Sequence, residues 1–432
     1  MKSSLSRRLP AGWWLLAAAW IAIAPGCGRH GVAVTHRVTA DGVAEIRLQG
    51  EASGDLVFAF RPHWSLSREQ VAGEAIIAVV GETEPDSAAV HARSLQRLYL
   101  LAYPSGRIFV VGMDGSVADT LARHTRGPRA VTGAVDLVRL PDETLGLLRP
   151  QPAEVVKLDS SGNLVGRVPL RPVTAGGHVV ARRCEATREA LVVGGAETHA
   201  SRAGQVRQHF VRRYDTYGFP RVTYHTRTDT INTSGRVLRE ADILAPFTLS
   251  FTSEADGGVL IAPERDHYLV HHHAPDGRMT HRYVREFAPP PRDAADSTAL
   301  ARLFDFWAED IPLRMSYEYC AREAAIRSLC GHNGFLRVEH ARSQEGADVG
   351  GALRIDVISN MSRETYELWA MELRAPAPEG CSEGLRFCTG IDLPGGYRLC
   401  DAAEARRIRN GGPADSAAAR PATAFVWYGQ PR

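Results

Sequence analysis

Lysine is almost missing from this chain. It occurs only at Lys2 and Lys157, so the basic charge is arginine nearly throughout, a bias of codon usage to which no mechanism is attached. No G-x-x-x-x-G-K-[ST] loop is present to cradle a phosphate chain. No G-x-S-x-G elbow marks an activated serine. No C-x-x-C marks a redox pair or a zinc knuckle. The carboxylates are scattered, and no spacing picks out a pair suited to acid–base work. Beyond the first thirty residues no apolar run approaches the roughly 20 residues of a membrane-spanning helix. Nor is there a long low-complexity block, and with 44% hydrophobic residues the 432-residue chain can bury one large all-β domain or two ordinary ones.

What is present begins with a leader. Lys2, Arg7 and Arg8 precede the apolar run Gly12–Ala24, which is too short to cross a bilayer and suits the core of a signal peptide. Ala24-Pro25-Gly26-Cys27 follows and resembles a bacterial lipobox, with a small residue before the cut and a thiol that takes the lipid. The expected organisation is a signal peptide over 1–26, a lipidated linker over 27–37 attached through Cys27, and a folded region over 38–432. Gly28 stands where aspartate would retain a Gram-negative lipoprotein at the inner membrane, so the resemblance directs this one to the outer membrane of the cell envelope. Removing residues 1–26 takes away three basic residues and no acid, leaving 48 basic against 49 acidic side chains. That balance offers no basic patch for phosphate backbones, and nucleic-acid binding is not expected.

Six cysteines remain after Cys27, an even number that in an exported protein favours disulfides. Local pairing is the simplest arrangement: Cys320 with Cys330, and Cys381 with Cys388 or Cys400.

The body of the chain reads as strands and tight turns. "GRIFVVGMDGSVADTL", "AEVVKLDSSGNLVGRVPL", "HFVRRYDTYGFPRVTYHT" and "YLVHHHAPDGRMTHRYV" share one design, a strand, a turn carrying Asp and Gly, and a second strand. Seven residues before the turn glycines Gly115, Gly162, Gly218 and Gly277 stand Ile108, Val155, Val211 and Val270, all β-branched as a strand between neighbours requires. Asp41-Gly42 is a candidate start of the series, and Arg354–Trp369 a later copy. The interval between glycines allows one four-stranded unit each, which points to a propeller or a related array. The alternative all-β reading is a pair of large sandwiches.

The turn pattern, the period and the leader together resemble the NHL-like six-bladed β-propellers found among bacterial lipoproteins. That resemblance implies an all-β fold of six blades over residues 38–432, closed by a terminal strand from "TAFVWYG", Thr423–Gly429, or from the N-terminal "GVAEIRL". One segment, about 288–312, departs from the strand pattern: after a proline run, Leu300, Leu303, Phe304 and Trp307 make one apolar stripe of an inserted helix.

His271, His272 and His273 invite a metal reading. On a strand His271 and His273 share a face while His272 points away, so the first two are the weak candidates for ligation. The aligned repeats nevertheless put them in ordinary strand positions, away from the channel where the resembled family places ligands. A channel site would gather single residues from distant positions, of which His178, His225, Asp256 and Glu264 are of suitable type. The expectation is therefore a lipid-anchored envelope β-propeller that binds a ligand or protein partner, needs no cofactor, touches the membrane through its lipid and is not itself catalytic. The alternative is a metal-dependent hydrolase or lyase with its site at the channel mouth, since the resembled superfamily includes zinc-dependent lyases and calcium-dependent lactonases. A purely structural scaffold is a third class.

Overall fold

The turn glycines organise the chain as the repeat predicts. In the computed structural model Gly115, Gly162, Gly218 and Gly277 have φ of 81°, 81°, 81° and 92°, the left-handed region that glycine enters without a Cβ penalty. Each donates its N–H to the carbonyl three residues earlier at 2.9–3.0 Å. An aspartate closes every turn by accepting the N–H two residues further on: Asp114 from Ser116, Asp159 from Ser161, Asp215 from Tyr217 and Asp276 from Arg278.

The structure describes residues 33–49, 55–65, 70–72, 74–83, 95–112, 114–121, 131–201, 204–231, 237–254, 256–292, 297, 300–301, 316–332, 335–340, 352–362, 365–374, 391–392, 397–400 and 425–431. In chain order, β1 (Ala33–Val38) and β2 (Ala44–Gln49) form a hairpin, followed by β3 (Asp55–Ser65). A first antiparallel sheet runs β4 (Ala75–Thr83), β5 (Leu95–Tyr103), β6 (Ile108–Gly112) and β7 (Val117–Leu121). A second runs β8 (Asp136–Arg139), β9 (Leu145–Pro150), β10 (Ala153–Leu158) and β11 (Leu164–Pro169). A third runs β12 (His178–Ala186), β13 (Leu191–Ser201), β14 (Gly204–Tyr214) and β15 (Pro220–Ile231). A connection follows through β16 (Val237–Arg239), the helical turn α1 (Glu240–Ile243) and a 3₁₀ turn at Pro246–Thr248. Next come β17 (Phe251–Ser253), β18 (Val259–Ile261), β19 (Tyr268–His273) and β20 (Met279–Arg285), then β21 (Ser316–Glu318), which pairs with β16 in parallel. The chain continues through β22 (Ile326–His332), β23 (Phe335–His340), β24 (Ala352–Ser362) and β25 (Thr365–Arg374). It ends on β26 (Ile391–Asp392), β27 (Tyr397–Cys400) and β28 (Phe425–Pro431).

Each run of four pairs in sequence order, and the repeat's β-branched positions all fall in a third strand. Ile108, Val155, Val211 and Val270 are fully buried. Arg354–Trp369, expected as a later copy, spans β24 and β25, the third and fourth strands of their run. First strands lie side by side: β8 packs beside β4 and β12, and β17 beside β12 and β22. Apolar residues fill the space between successive sheets. One cluster joins Leu101, Ile108, Leu137, Leu147, Val155 and Phe210, and another joins Leu260, Val270, Ile326 and Val338. The result is an all-β, propeller-like fold.

Two expectations at the N-terminus change. Asp41-Gly42 does make the same turn, with Gly42 at φ 78°, but its hairpin opens no sheet of its own. Strand β2, which contains most of "GVAEIRL", instead runs parallel to β20 at the outer edge of the β17–β20 run. The strand that meets the C-terminus is β3: Phe425–Pro431 pairs antiparallel with it, while its other edge pairs with β25. Both strands are paired on both edges, β2 by β1 and β20 and β3 by β25 and β28. The helix expected within 288–312 lies largely outside the described residues; Leu300 is buried there against Leu244, Tyr317 and Tyr319. The helical turn at Glu240–Ile243 carries no stripe long enough to be read from sequence.

Candidate functional site

The first strands are stitched to one another by side chains. Asp136, 5% exposed at the start of β8, accepts the N–H of Cys184 in β12 at 2.9 Å. Glu185 of β12 accepts both the N–H and the hydroxyl of Ser253 in β17, at 2.5 and 2.9 Å. Thr252 of β17 accepts the N–H of Gly331 in β22 at 3.2 Å. Each contact satisfies a main-chain donor that the edge of a four-stranded sheet leaves over.

Between the third sheet, β12–β15, and the next, β17–β20, the packing changes character. Gly194 in β13 lets the 3₁₀ turn approach so closely that a Cβ there would collide with the carbonyl of Thr248 and lie 2.7 Å from the Phe251 ring. Val192, Val211, Phe247, Phe251, Val259 and Ile261 make an apolar centre around that turn. Around this centre the same face of the third sheet is polar. The register sets His209 opposite Arg227, and Arg207 opposite Asp229, while Val211 pairs with His225 one step along. Period-two alternation thus places Arg207, His209 and Val211 on one face of β14.

His225 reaches across this seam with its ring edge-on to Phe247, centroids 4.6 Å apart. From the facing sheet come His271 and His273, sharing a face as the sequence predicts, with ring centroids 6.0 Å apart. His273 lies 5.9 Å from Tyr224 and is hydrogen-bonded through Nδ1 to the Gly277 carbonyl at 3.1 Å. Burial, then the field of His273, pushes the His225 and His271 pKa values down to about 4, with Arg227 adding to the effect on His225. Both are therefore neutral at neutral pH. His272 points the other way, stacks on His281 at 4.3 Å and is bonded to Glu254 at 2.7 Å. Among the described residues no three His, Cys, Asp or Glu side chains form a set able to hold a metal ion.

The four channel candidates do not gather as a group. His178 is exposed at the start of β12, Asp256 holds the Gly258 N–H in the β17–β18 turn at 2.8 Å, and Glu264 is bonded to the exposed His267. Only His225 feels Glu264, whose charge opposes the downward shift of its pKa.

Cys320 carries a free thiol, so the bridge expected between it and Cys330 is not formed here. Its backbone N–H is held at 2.8 Å by Glu240, which also binds Arg265 and Arg292, whereas Cys330 belongs to the β22 ladder opposite Arg337. The side chains of Cys330, Cys381, Cys388 and Cys27 lie outside the described residues. Cys184 is a buried free thiol whose pKa is pushed up by burial and then by Asp136 and Glu185.

Sequence reasoning missed the buried ion pairs. Arg212 and Glu197, each 1% exposed, meet at 2.9 Å; Glu197 also accepts the N–H groups of Thr174 and Val173, and Arg212 lies 4.2 Å over the Phe210 ring. Glu45 likewise binds Arg282 at 2.7 Å, together with Arg37 and Arg47. The signal was arginine and glutamate within strands, which sequence alone does not distinguish from a solvated face.

No protein-family model matches the sequence, and no curated protein is significantly similar to it. Among solved structures the chain is similar to a member of the DUF4221 family from Bacteroides vulgatus ATCC 8482, at 9% identity over 87% of this chain and 99% of that one, with a TM-score of 0.45. It is similar to a catalytically inactive virginiamycin B lyase from Staphylococcus aureus solved with quinupristin, at 9% identity over 80% and 96% of the two chains, with a TM-score of 0.37. YCF48 bound to D1 peptide shows 11% identity over 82% and 86%, also with a TM-score of 0.37. With scores this low, the fold assignment rests on this chain's own strand order.

Proposed function

We propose that this protein is a lipid-anchored, NHL-like β-propeller of six blades that binds a ligand or protein partner at the bacterial cell envelope and is not itself catalytic. The observation that carries the reading is the pairing of β28 with β3. Five runs of four strands precede the C-terminal segment, and β26–β28 become a sixth unit of four only by taking up β3 from the N-terminal side. A ring closed in this way joins β3, from the N-terminal side, to the C-terminal strands in one blade, while β1 and β2 extend the fourth. Attachment to the membrane through Cys27 is part of the same proposal and rests on the lipobox resemblance of Ala24–Cys27. Ligand binding is supported by the seam between the third and fourth blades, where charged and imidazole groups surround the apolar centre.

Fractionation of cells expressing the wild type and Cys27→Ala tests the anchor. The wild type is expected in the outer-membrane fraction and the variant in the soluble periplasmic fraction. Retention of the variant in membranes would refute lipid attachment at Cys27. Metal analysis of untagged protein tests the binding reading, because one stoichiometric zinc or calcium would move the assignment to a metal-dependent hydrolase or lyase.

A further inference from the structure

Among the described residues, the seam beside β12–β15 brings three arginines together around a buried histidine. Arg182, 8% exposed, enters it from β12 at the bulge between Ala181 and Arg183. Arg207 and Arg227 enter from β14 and β15, on either side of His209, which is fully buried. Asp229 is the carboxylate opposite them; it binds Arg227 at 3.1 Å and lies 3.2 Å from His209 Nε2, out of line for a hydrogen bond. Arg227 also donates to the Leu244 carbonyl at 3.0 Å.

The other arginine clusters are arranged differently. Arg212 is matched to Glu197, and Glu240 takes two arginines and a backbone N–H. In the seam, Arg207 is half-buried and makes no hydrogen bond or ion pair among the described residues, and neither ring nitrogen of His209 has a hydrogen-bond partner. A guanidinium offers five N–H donors in a planar fork that matches two oxygens of one group. Among the described residues Asp229 is bound by Arg227 and only attracts Arg207 across the strand pair, so the Arg207 fork is left over where water is partly excluded, an arrangement that an anion would complete.

We infer that this seam is a binding site for a small oxyanion, a carboxylate or phosphate group of a low-molecular-weight ligand, held by Arg207 with Arg182, Arg227 and His209. Arg207 supplies the unused fork, Arg182 charge from the inner strand, and His209 a neutral ring that donates from one nitrogen. Asp229 orients Arg227 rather than touching the ligand. The inference names a ligand chemistry for the binding function proposed above and rests on that reading for its role in the cell.

The test is calorimetric titration of the full-length protein, after exhaustive dialysis into a chloride buffer of fixed ionic strength. Inorganic phosphate is the probe in one arm and succinate in the other; the arm that saturates identifies the source of the oxyanion. Saturable one-site binding is expected, weakened at least tenfold by Arg207→Gln and unchanged by Arg221→Gln, an exposed arginine paired with Asp215 on an outer turn. Because Arg207 makes no hydrogen bond among the described residues and its charge repels Arg182, Arg207→Gln is expected to have a ligand-free Tm no lower than the wild type and to lose the upward shift that ligand gives the wild type. Absence of binding in both arms, or equal binding by Arg207→Gln, would overturn the inference. The envelope reading fails separately, by the fractionation of Cys27→Ala, which no anion titration affects.

Discussion

Acidification from pH 7.5 to pH 5 should weaken the protein through two histidines of the seam, His225 and His271. Both rings are half-buried and held at a pKa of about 4 against an ordinary value near 6.5, first by burial and then by His273, with Arg227 and Arg282 contributing. Glu264 acts in the opposite direction on His225 but does not offset the rest. The unfolded chain therefore binds more protons than the folded one between about pH 6.5 and pH 4. Stability is fully present above that window and lost as pH falls through it. At pH 5 each histidine should cost about 2 kcal/mol, and the pair about 4 kcal/mol, somewhat less where water reaches the rings. Against a typical total of roughly 5–15 kcal/mol this is a large fraction. Most carboxylates that are stabilised on folding, such as Glu45 and Glu197, have lowered pKa values and protonate at lower pH, so they leave this window largely to histidine. Urea unfolding at half-unit steps of pH measures the slope in wild type and in the double variant His225→Gln/His271→Gln. The variant should be less sensitive to acid by about 4 kcal/mol over the interval, with residual dependence from His209, His273 and His281, whose pKa values burial also lowers. Parallel curves for the two proteins would refute the burial of neutral imidazoles in the seam.

Two further substitutions test the packing. Gly194→Ala drives a methyl group into the Thr248 carbonyl and the Phe251 ring, forcing the 3₁₀ turn away from β13, and should lower stability by about 2–3 kcal/mol in the same urea assay. Asp136→Ala strips the buried Cys184 N–H of its acceptor, and should cost about 2 kcal/mol and speed hydrogen exchange at that amide.

The sequence by itself determined the parts of this protein governed by short-range rules. A positive-φ turn admits glycine at little cost and aspartate closes it, so the outer hairpins at Gly115, Gly162, Gly218 and Gly277 were readable from residue spacing. The same spacing marked Ile108, Val155, Val211 and Val270 as core, because each stands in a third strand on a face that a neighbouring element covers. The common face of His271 and His273 follows from strand alternation alone. Only the tertiary structure decided what those faces meet. The pairing of β28 with β3 joins segments hundreds of residues apart, as does that of β2 with β20. The unpartnered fork of Arg207 was invisible for a related reason. An arginine on a strand face reads as solvated from sequence, and only the folded chain brings Arg182, Arg227 and the Leu244 carbonyl to the same side as Arg207 and His209.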